Sequence, residues 1–547
     1  MNEPEFDYII VGAGSAGCVL ANKLSQDAET RVLLIEAGGS DRSLLIDMPK
    51  GIGKLLADPR YTWVYRTEPE HGANAGEVWL RGRVLGGSSS INGLMYNRGQ
   101  PEDYDQMLSL GCAGWGWQAM LPYFLAMEDH ELGPSEYRGA GGPLAVTLPH
   151  SHRPLHDAIF AAGREVGLAV DSDLNRPSRA PVIAYFPRTI RRGRRWSAAR
   201  AYIDPARHRP NLAVRTATVV ALIAFEQGRA VAVRCVDGSS FRARREIILC
   251  AGGIESPALL QRSGIGPAAT LATAGIRPVA DRREVGQNLL EHRVISMNFA
   301  VSRRHSLNRA YGTPWVYAHV MHYLLTRGGS MASGYAEIGA FIKTRGDLDR
   351  PDAQLLFAPY SIDRTLAPPA IEQTPGITIG GFILRPTSKG ELAVRSSDPG
   401  DQPVIRPNYL ATPDDRMKAI DIVRSIRAFA ATSAMQAVGA NETFPGADVQ
   451  TPEDIVDAWH RLGHCGFHLV GGCRMGSDDG SVVDPRLRVR GVAGLRVMDC
   501  SVLPVMISGN TNGPIMAMAA RAADLIREDA GARAVRAGGA LDGEDVQ

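Results

Sequence analysis

A short glycine-rich segment near the start of the chain has the residue types and spacing of a dinucleotide-binding turn. Residues 12–17 read GAGSAG, and they lie between an apolar run and a helical pattern. Gly12 would allow the tight turn, Gly14 would let a pyrophosphate approach the backbone, and Gly17 would let the helix pack closely on its strand. Glu36, at the end of the next apolar run, is placed to bind the adenosine ribose hydroxyls. The pattern predicts a bound dinucleotide without separating NAD from FAD, and its alternative is a glycine-rich turn without a ligand.

Oxidation of an alcohol by hydride transfer would in addition need a base near neutral pH, and a neutral imidazole is the natural candidate. The chain has 13 histidines, so residue type alone does not single one out. No His-Glu-x-x-His pattern and no Cys/His ligand spacing occurs in the sequence. We therefore expect no metal ion, and the base must be recognised from the motif that surrounds it.

Four apolar runs from distant parts of the chain are typical of buried parallel strands, namely residues 6–11, 31–35, 246–250 and 495–498. The intervening region has a different texture, because residues 337–343 and 378–384 alternate between apolar and polar side chains. That alternation predicts an antiparallel sheet with one covered face. Helical spacing predicts helices over residues 417–431 and 514–527.

These elements predict an α/β fold, α+β overall, with two domains. The first is a discontinuous Rossmann-like dinucleotide-binding domain formed by residues 1–150, 195–295 and 455–530. The second is a substrate-binding domain formed by residues 151–194 and 296–454, with an antiparallel sheet covered by helices. Residues 531–547 are small and charged, and we expect a flexible C-terminal tail.

Composition excludes several classes of protein. The chain has 547 residues and a net charge of +2, so no global field attracts nucleic acid or a membrane. Residues 191–195 read RRGRR, but aromatic residues are sparse there, and we favour a solvated or cofactor-proximal loop over a nucleic-acid site. Seven cysteines without a CxxC pair indicate free thiols in a reducing compartment. With no spanning apolar stretch and no secretory leader in the sequence, we expect a cytoplasmic protein without an integral membrane segment.

Two longer segments carry a family resemblance. Residues 81–105 read RGRVLGGSSSINGLMYNRGQPEDYD, and residues 252–266 read GGIESPALLQRSGIG. They resemble the two signatures of the glucose–methanol–choline (GMC) oxidoreductases, and the bacterial choline- and alkanol-dehydrogenase-like members most of all. Residues 285–292, with Glu291 where the family has Asp, and residues 499–523 are similar to further family segments. The resemblance spans residue 6 to about residue 528 and implies FAD, bound in an extended form.

The resemblance and the glycine motif together imply a set of FAD-binding residues. By alignment, Asn92, Gly93 and Leu94 would lie near the flavin ring, Val220 near the adenine, and Asp499 near the ribityl–pyrophosphate region. The whole set is Gly12, Ala13, Gly14, Ser15, Ala16, Gly17, Glu36, Ala37, Arg83, Val84, Gly86, Gly87, Ser88, Asn92, Gly93, Leu94, Met95, Val220, Ala251, Asp499, Cys500, Asn510, Thr511 and Asn512. Ile91 stands where some members attach FAD covalently to a histidine, so we expect FAD to be bound non-covalently.

The resemblance also implies a catalytic pair. Residues 464–476 read HCGFHLVGGCRMG, and the family's active-site histidine aligns with His468. The second family position, His in some members and Asn in others, aligns with Asn510. An amide can hydrogen-bond the substrate oxygen but cannot accept its proton near neutral pH. The resemblance thus implies oxidation of an alcohol to an aldehyde or ketone by hydride transfer to flavin N5, with His468 as general base, Asn510 orienting the oxygen and Asn512 facing the pyrimidine edge.

Substrate and acceptor are predicted less directly. Glu337 resembles a family position that reaches the active site and could bind a cation such as choline, although a carboxylate satisfied by neighbouring groups is the alternative. Phe467 would add an apolar wall beside the base. We expect a neutral alcohol, with choline as the alternative, and a quinone or other electron acceptor, with O₂ as a further candidate. Some members of the family are instead lyases or photodecarboxylases without net alcohol oxidation.

Overall fold

The computed structural model describes residues 4–541 except residues 72–74, 151, 313 and 367–368, and it describes side chains up to residue 532. Two sheets organise this part of the chain. The first has seven strands, which are Leu212–Arg215, Val32–Ile35, Glu5–Val11, Ser240–Leu249, Arg229–Cys235, Val220–Glu226 and, paired with Ser240–Leu249, Leu495–Val497. The four predicted apolar runs all lie in this sheet. Their parallel pairing and complete burial confirm the predicted Rossmann-like core.

The register of the first sheet brings the strand ends together. Ile35, Val11, Leu249 and Val497 are partners across four adjacent strands. The residues that follow each of them therefore leave the sheet at the same edge, the carboxyl end of the parallel strands. In open α/β sheets this edge is where ligands bind.

The second sheet is antiparallel except for its last pair of strands. Its strands are, in order, Asn441–Phe444, Arg293–Ala300, Gly376–Ile383, Ala353–Ala358, Ile338–Ile342, Val182–Tyr185 and Ala169–Val170, and His464–Cys465 pairs with Arg293–Ala300. The expectation of a single covered face is wrong, because Ile338–Ile342 and Gly376–Ile383 are buried throughout. Helix Pro413–Ala430 packs on one face, where Ile422 lies against Gly381. The other face packs against Met95 of the first domain, through Phe382 and its neighbours.

Several predicted boundaries shift in the structure. Strand Arg293–Ala300 crosses the boundary predicted between residues 295 and 296. Helix Pro452–Leu462 and strand His464–Cys465 join the second sheet's core, although residues from 455 onward were assigned to the first domain. The region predicted as a flexible tail is helical up to Leu541, and its residues 542–547 lie outside the described residues.

Helices cover both sheets. The longer ones are Ser15–Leu24, Pro101–Ser109, Trp117–Met127, Pro154–Glu165, Gly252–Arg262, Trp315–Thr326, Pro413–Ala430, Pro452–Leu462 and Asn512–Leu541. The shorter ones are Leu44–Asp47, Ile52–Leu55, Asp204–Ala206, Ala268–Thr273, Asn308–Tyr311 and Ser433–Ala437. Helix Pro413–Ala430 begins where the sequence supplies a cap, since Thr412 accepts a hydrogen bond from the Asp415 amide and Pro413 occupies the first turn.

Candidate functional site

The glycine-rich turn follows strand Glu5–Val11, and two of its glycines have no room for a side chain. Gly12 has φ +99°, and a Cβ there would lie 2.5 Å from the Cys250 carbonyl oxygen. A Cβ on Gly17 would lie 1.9 Å from the Gly12 carbonyl oxygen, so the helix packs directly on the turn. At Gly14 the nearest listed atom, the Cys250 oxygen, would be 4.0 Å away. The backbone is therefore tight on the protein side and open at the position where a pyrophosphate would approach.

Two helix N-termini meet at this turn. Helix Ser15–Leu24 has Gly14 as its N-cap and no side-chain capping hydrogen bond. The last helix begins at Asn512, and the Ser15 hydroxyl donates to Asn512 Oδ1 at 2.6 Å. Free N–H groups and the positive ends of two helix dipoles favour an anion here. The turn residues Ala13, Ser15 and Ala16 and the predicted residues Thr511 and Asn512 thus lie around one anion-binding position.

Glu36 lies at the end of the next parallel strand, as predicted. It is buried, and its carboxylate accepts hydrogen bonds from the Ala13 amide at 2.9 Å and the Gly38 amide at 2.8 Å. Burial raises the pKa of Glu36 to about 7, although these two hydrogen bonds favour the charged form. The carboxylate joins the glycine turn to the segment containing the half-buried Ala37, which is the position expected for the ribose of an adenosine.

The predicted adenine contact lies on the same side. The Thr218 amide donates to the Glu36 carbonyl oxygen at 3.0 Å, and Val220 begins the next strand. The chain around Val220 therefore leads directly to the acidic residue. These contacts favour an adenosine group along the edge formed by Glu36 and Val220.

The segment of the first signature lies against the glycine turn. The Gly86 amide donates to the Ala13 carbonyl oxygen at 2.8 Å, and a Cβ on Gly87 would lie 2.7 Å from the Gly14 Cα. Val84 forms a bridge with Gly39, next to Arg83, and Ser88 lies in the short turn Gly87–Ser90. The structure thus brings together two segments that are far apart in the sequence.

The end of this segment is held in an uncommon conformation. Asn92 Oδ1 accepts from the Leu94 amide at 3.1 Å, and Leu94 has φ +72°. A positive φ is uncommon for a residue with a side chain and is found preferentially at functional sites. Gly93 lies between them, and its carbonyl oxygen accepts from the Tyr335 amide at 3.2 Å in the second domain. Met95 forms a bridge with Arg188 and packs against the second sheet.

Arg195 is a functional residue that sequence reasoning missed. Its side chain is fully buried, and Nη1 donates to Asn92 Oδ1 at 2.8 Å, to the Asn92 carbonyl oxygen at 2.8 Å and to the Ser89 carbonyl oxygen at 3.3 Å. Burial lowers the pKa of Arg195 to about 9. The basic run at residues 191–195 is therefore not uniformly solvated, since its last arginine positions the signature segment. Nothing in the local pattern distinguished this arginine from its neighbours.

Asp499 connects the strand ends on the other side of the turn. Its Oδ2 accepts from the Gly252 amide at 2.8 Å and the Ser256 hydroxyl at 2.5 Å, and its Oδ1 accepts from the amide and hydroxyl of Ser501. Burial raises its pKa despite these hydrogen bonds. The side chain therefore holds the loop containing Ala251 and the turn beginning at Cys500 in place.

The predicted catalytic pair meets at the junction of the two domains. Asn510 Nδ2 donates to His468 Nε2 at 3.0 Å, and both side chains are half-buried. Asn97, which was not predicted as a site residue, donates from Nδ2 to Asn510 Oδ1 at 2.8 Å. That contact orients the Asn510 amide so that its N–H group points at the imidazole.

A second histidine, His292, determines which nitrogen of His468 carries the proton. His292 Nε2 lies 2.9 Å from the Leu384 carbonyl oxygen, which can only accept, so Nε2 carries the hydrogen. Burial lowers the pKa of His292 to about 4, so the ring is neutral and its Nδ1 is an acceptor. His292 Nδ1 and His468 Nδ1 are 2.9 Å apart, and His468 must therefore donate from Nδ1. The lone pair of His468 is left on Nε2, the atom that faces Asn510.

The backbone of His468 is anchored by a buried carboxylate. Glu291 Oε1 accepts from the His468 amide at 2.6 Å, and Glu291 Oε2 forms an ion pair with Arg81 at 3.0 Å. Burial lowers the pKa of His468 well below its usual value, and His292 and Arg81 add to the effect. His468 is therefore neutral at neutral pH, as a general base must be.

The two predicted substrate residues differ in their surroundings. Phe467 adjoins the base, has φ +66°, and its side chain is 44% exposed, with the Arg81 guanidinium 5.7 Å from the ring centroid. Glu337 is buried and accepts from His156 Nε2 at 2.9 Å, with Arg153 at 3.6 Å. Burial alone would raise the pKa of Glu337, but His156 and Arg153 lower it to about 2. The carboxylate is thus satisfied by neighbouring groups, the alternative noted from the sequence.

The residues present fit FAD. A turn without room for side chains, two helix N-termini, a buried acid at the second strand end and a strained signature segment line one continuous edge of the first sheet. Every predicted cofactor residue lies on or beside this edge or at the catalytic pair. Among the described residues, no group of three His, Cys, Asp or Glu side chains is placed to hold a metal ion.

Comparisons with known proteins agree with this geometry. Two family models, both described as GMC oxidoreductase, match residues 6–294 and 386–519. Human mitochondrial choline dehydrogenase is 40% identical over 537 residues, which cover 96% of this chain and 90% of that protein. An alcohol dehydrogenase [acceptor] from Pseudomonas putida is 37% identical over 529 residues, which cover 95% of each chain. The crystal structure of pyridoxine 4-oxidase from Mesorbium loti superposes with a TM-score of 0.85 at 31% identity, covering 95% of this chain and 98% of that one.

Proposed function

The chain belongs to the GMC oxidoreductases, FAD-dependent enzymes that act on CH–OH groups, and we propose that it oxidises a neutral alcohol with His468 as the general base. The observation that carries the proposal is the free lone pair on His468 Nε2, 3.0 Å from the Asn510 amide nitrogen. A substrate hydroxyl between these two groups would donate to Nε2 and accept from Nδ2 of Asn510. FAD, when bound, supplies the acceptor for the hydride that leaves the carbinol carbon.

Each residue of the pair has one task. His468 takes the hydroxyl proton at Nε2, because His292 keeps its other nitrogen protonated. Asn510 stabilises the charge that develops on the oxygen, and Asn97 holds its amide in the required orientation. General-base catalysis of this kind contributes about 10²–10⁴-fold to the rate.

The charge around Glu337 favours a neutral substrate. Lys50 and the partly buried Arg153 and Arg188 surround this single carboxylate, which His156 already engages. Burial lowers the pKa of Lys50 to about 7, partly offset by Glu337. The cluster reaches the expected flavin end through Tyr335, since the Tyr335 carbonyl oxygen lies 3.5 Å from Lys50 Nζ. A cationic alcohol would meet positive rather than negative charge here.

Choline is the second candidate, because the human relative at 40% identity is named choline dehydrogenase. For the electron acceptor we propose a quinone or another non-oxygen acceptor, supported by the Pseudomonas putida relative whose name specifies an acceptor. O₂ is the alternative, since a relative from Ectopseudomonas mendocina is named oxygen-dependent choline dehydrogenase. We also propose a cytoplasmic location, supported by seven free cysteines of which six are buried.

FAD is proposed to be non-covalent. Ile91 has no nucleophilic atom and packs in an apolar cluster with Ile46, Leu55 and Val84. Acid denaturation should therefore release the yellow chromophore into the supernatant. A chromophore that stays in the protein pellet would contradict the proposal.

The test of the reaction is anaerobic addition of alcohols to the FAD-loaded protein, with the flavin absorbance as the readout. Hexanol, benzyl alcohol or a cyclic diol should bleach the flavin faster than choline does. A flavin that no alcohol bleaches would indicate a lyase or a photodecarboxylase instead. Re-oxidation of the bleached protein by a quinone and by O₂, in parallel, then identifies the acceptor.

A further inference from the structure

Helix Trp315–Thr326 is attached to the protein along one stripe. Val316 and Val320 pack on a small buried cluster that contains Tyr323, Met48 and Met331. The Tyr323 hydroxyl donates to the Asp47 carbonyl oxygen at 3.1 Å. These contacts fix which face of the helix points outward.

The outward face of this helix is apolar. Leu325 is 78% exposed, Tyr317 70%, Met321 55% and Trp315 48%. These residues repeat at helical spacing, so they form one continuous surface, the Trp315 face. Contiguous exposed apolar surface of this kind marks an interaction site, whereas single exposed apolar residues are common and need no explanation.

The charges around the Trp315 face have one sign. The sequence from residue 302 to residue 336 contains four arginines and no Asp, Glu or Lys. The Arg309 guanidinium lies 4.3 Å from the centroid of the Trp315 ring at one end of the helix. At the other end, Arg327 caps the helix and lies 5.2 Å from the centroid of the Tyr323 ring.

We propose that the Trp315 face docks on an anionic lipid bilayer, with the helix lying in the plane of the interface. Aromatic and aliphatic side chains on one face, with arginines at both ends, are the features of an interfacial helix. Arginines near an anionic surface gain attraction in addition to the burial of apolar area. The chemistry on this side of the molecule therefore matches an anionic membrane in both respects.

Two other occupants fit less well. The helix has 12 residues and is about 18 Å long, shorter than the roughly 30 Å of a hydrocarbon core, and no helix in the described part of the chain is long and apolar enough to cross a membrane. A second copy of the chain would pair this face with itself and bring arginines of like charge together.

The docked side also leads towards the active site. Tyr311, which packs against the same cluster, lies 5.1 Å from Tyr360, and Lys50 Nζ is within 3.5 Å of the Tyr360 hydroxyl. A lipid-soluble electron acceptor would therefore approach from the docked side. That corollary rests on the proposed function, whereas the docking itself does not.

The test is flotation of the FAD-loaded full chain with vesicles of phosphatidylcholine alone or with about a third phosphatidylglycerol. The wild type should partition onto anionic vesicles at least tenfold better than onto neutral ones, and salt should weaken the binding. The double variant Met321→Glu/Leu325→Glu should lose at least tenfold. Val236→Glu, a matched change at a 60% exposed residue of the first sheet, should bind as the wild type does.

FAD content and thermal unfolding of each variant check that it is folded, and neither depends on the enzymatic reaction. Wild-type protein that floats with neither vesicle would overturn the proposal. So would a double variant that binds as well as the wild type. A wild type that sediments as a dimer, and a double variant that sediments as a monomer, would assign the face to a second copy instead.

Discussion

His292 and His468 face each other through their Nδ1 atoms at 2.9 Å, and this contact makes one histidine the determinant of the other's tautomer. The carbonyl oxygen of Leu384 fixes the proton of His292, and His292 in turn fixes the proton of His468. Three groups in sequence thus place a lone pair on the single nitrogen that faces Asn510. The arrangement resembles other sites in which a neighbouring group holds an imidazole in its productive form.

Replacement of His468 by alanine should leave FAD binding intact and abolish most alcohol oxidation. Loss of a general base lowers the rate by about 10²–10⁴-fold. The measurement is steady-state kcat/KM together with the flavin-to-protein absorbance ratio. His460→Ala is the control, because His460 stacks on His71 at 3.5 Å between ring centroids and has no contact with the pair. A His468 variant within a factor of about two of wild type would refute the assignment.

Replacement of His292 should separate positioning from catalysis. His292→Leu removes the acceptor that holds His468 Nδ1–H, and we expect kcat to fall about 10–100-fold with little change in KM. His292→Asn places an amide oxygen close to the former Nδ1 position and should restore part of the activity. If both variants lose activity equally, with normal FAD content, the contact has no role in selecting the tautomer.

The pH dependence of kcat/KM should show an acid limb below the ordinary histidine value of about 6.5. Burial, together with His292 and Arg81, lowers the pKa of His468, and a base is active only when unprotonated. Activity is therefore retained as the pH falls through 6.5 and is lost only as it passes the lowered pKa. An acid limb at or above pH 7 would contradict this.

Acid unfolding must be measured separately from this profile. The pKa of His292 is lowered to about 4 and that of His464 to about 3, in both cases chiefly by burial. Below about pH 6.5 the unfolded chain binds protons that these folded groups do not, so their contribution to stability declines as the pH falls towards those values. Flavin circular dichroism at each pH identifies the range in which the protein is still folded.

The sequence allowed the nucleotide site to be predicted because its signals are local. The glycine turn, the acid at the second strand end and the apolar runs each lie within a few residues, and the sheet register then brings them to one edge. His468 and Asn510 were recognised through family motifs, not through their spacing. The structure adds that they are 3.0 Å apart.

The positioning residues could not be found in this way. His292 lies 176 positions from His468, and Arg195 lies 103 positions from Asn92, so no local pattern records either contact. The second covered face of the antiparallel sheet was missed for a related reason. Alternation along a strand shows which side chains share a face, but not which distant segment covers that face.

Glu337→Gln should test the choice between neutral and cationic substrates. Because His156 and Arg153 already engage the carboxylate, we expect the ratio of flavin bleaching by hexanol to bleaching by choline to stay the same. Stability should decline, since a buried hydrogen-bonded charge pair loses its anion. If choline reduced the wild-type flavin much faster than hexanol, and the variant abolished that preference, the neutral-substrate proposal would be wrong.

Gly17→Ala should weaken FAD binding through the packing of the first helix. The added Cβ would lie 1.9 Å from the Gly12 carbonyl oxygen, so the helix must move away from the turn whose backbone binds the pyrophosphate. Gly53→Ala is a matched control, because a Cβ there meets no atom within 4 Å. Fluorescence titration of the apoprotein with FAD should show at least a tenfold loss of affinity for Gly17→Ala and none for Gly53→Ala. If both variants bind FAD as the wild type does, and remain folded by circular dichroism, the turn does not position the cofactor.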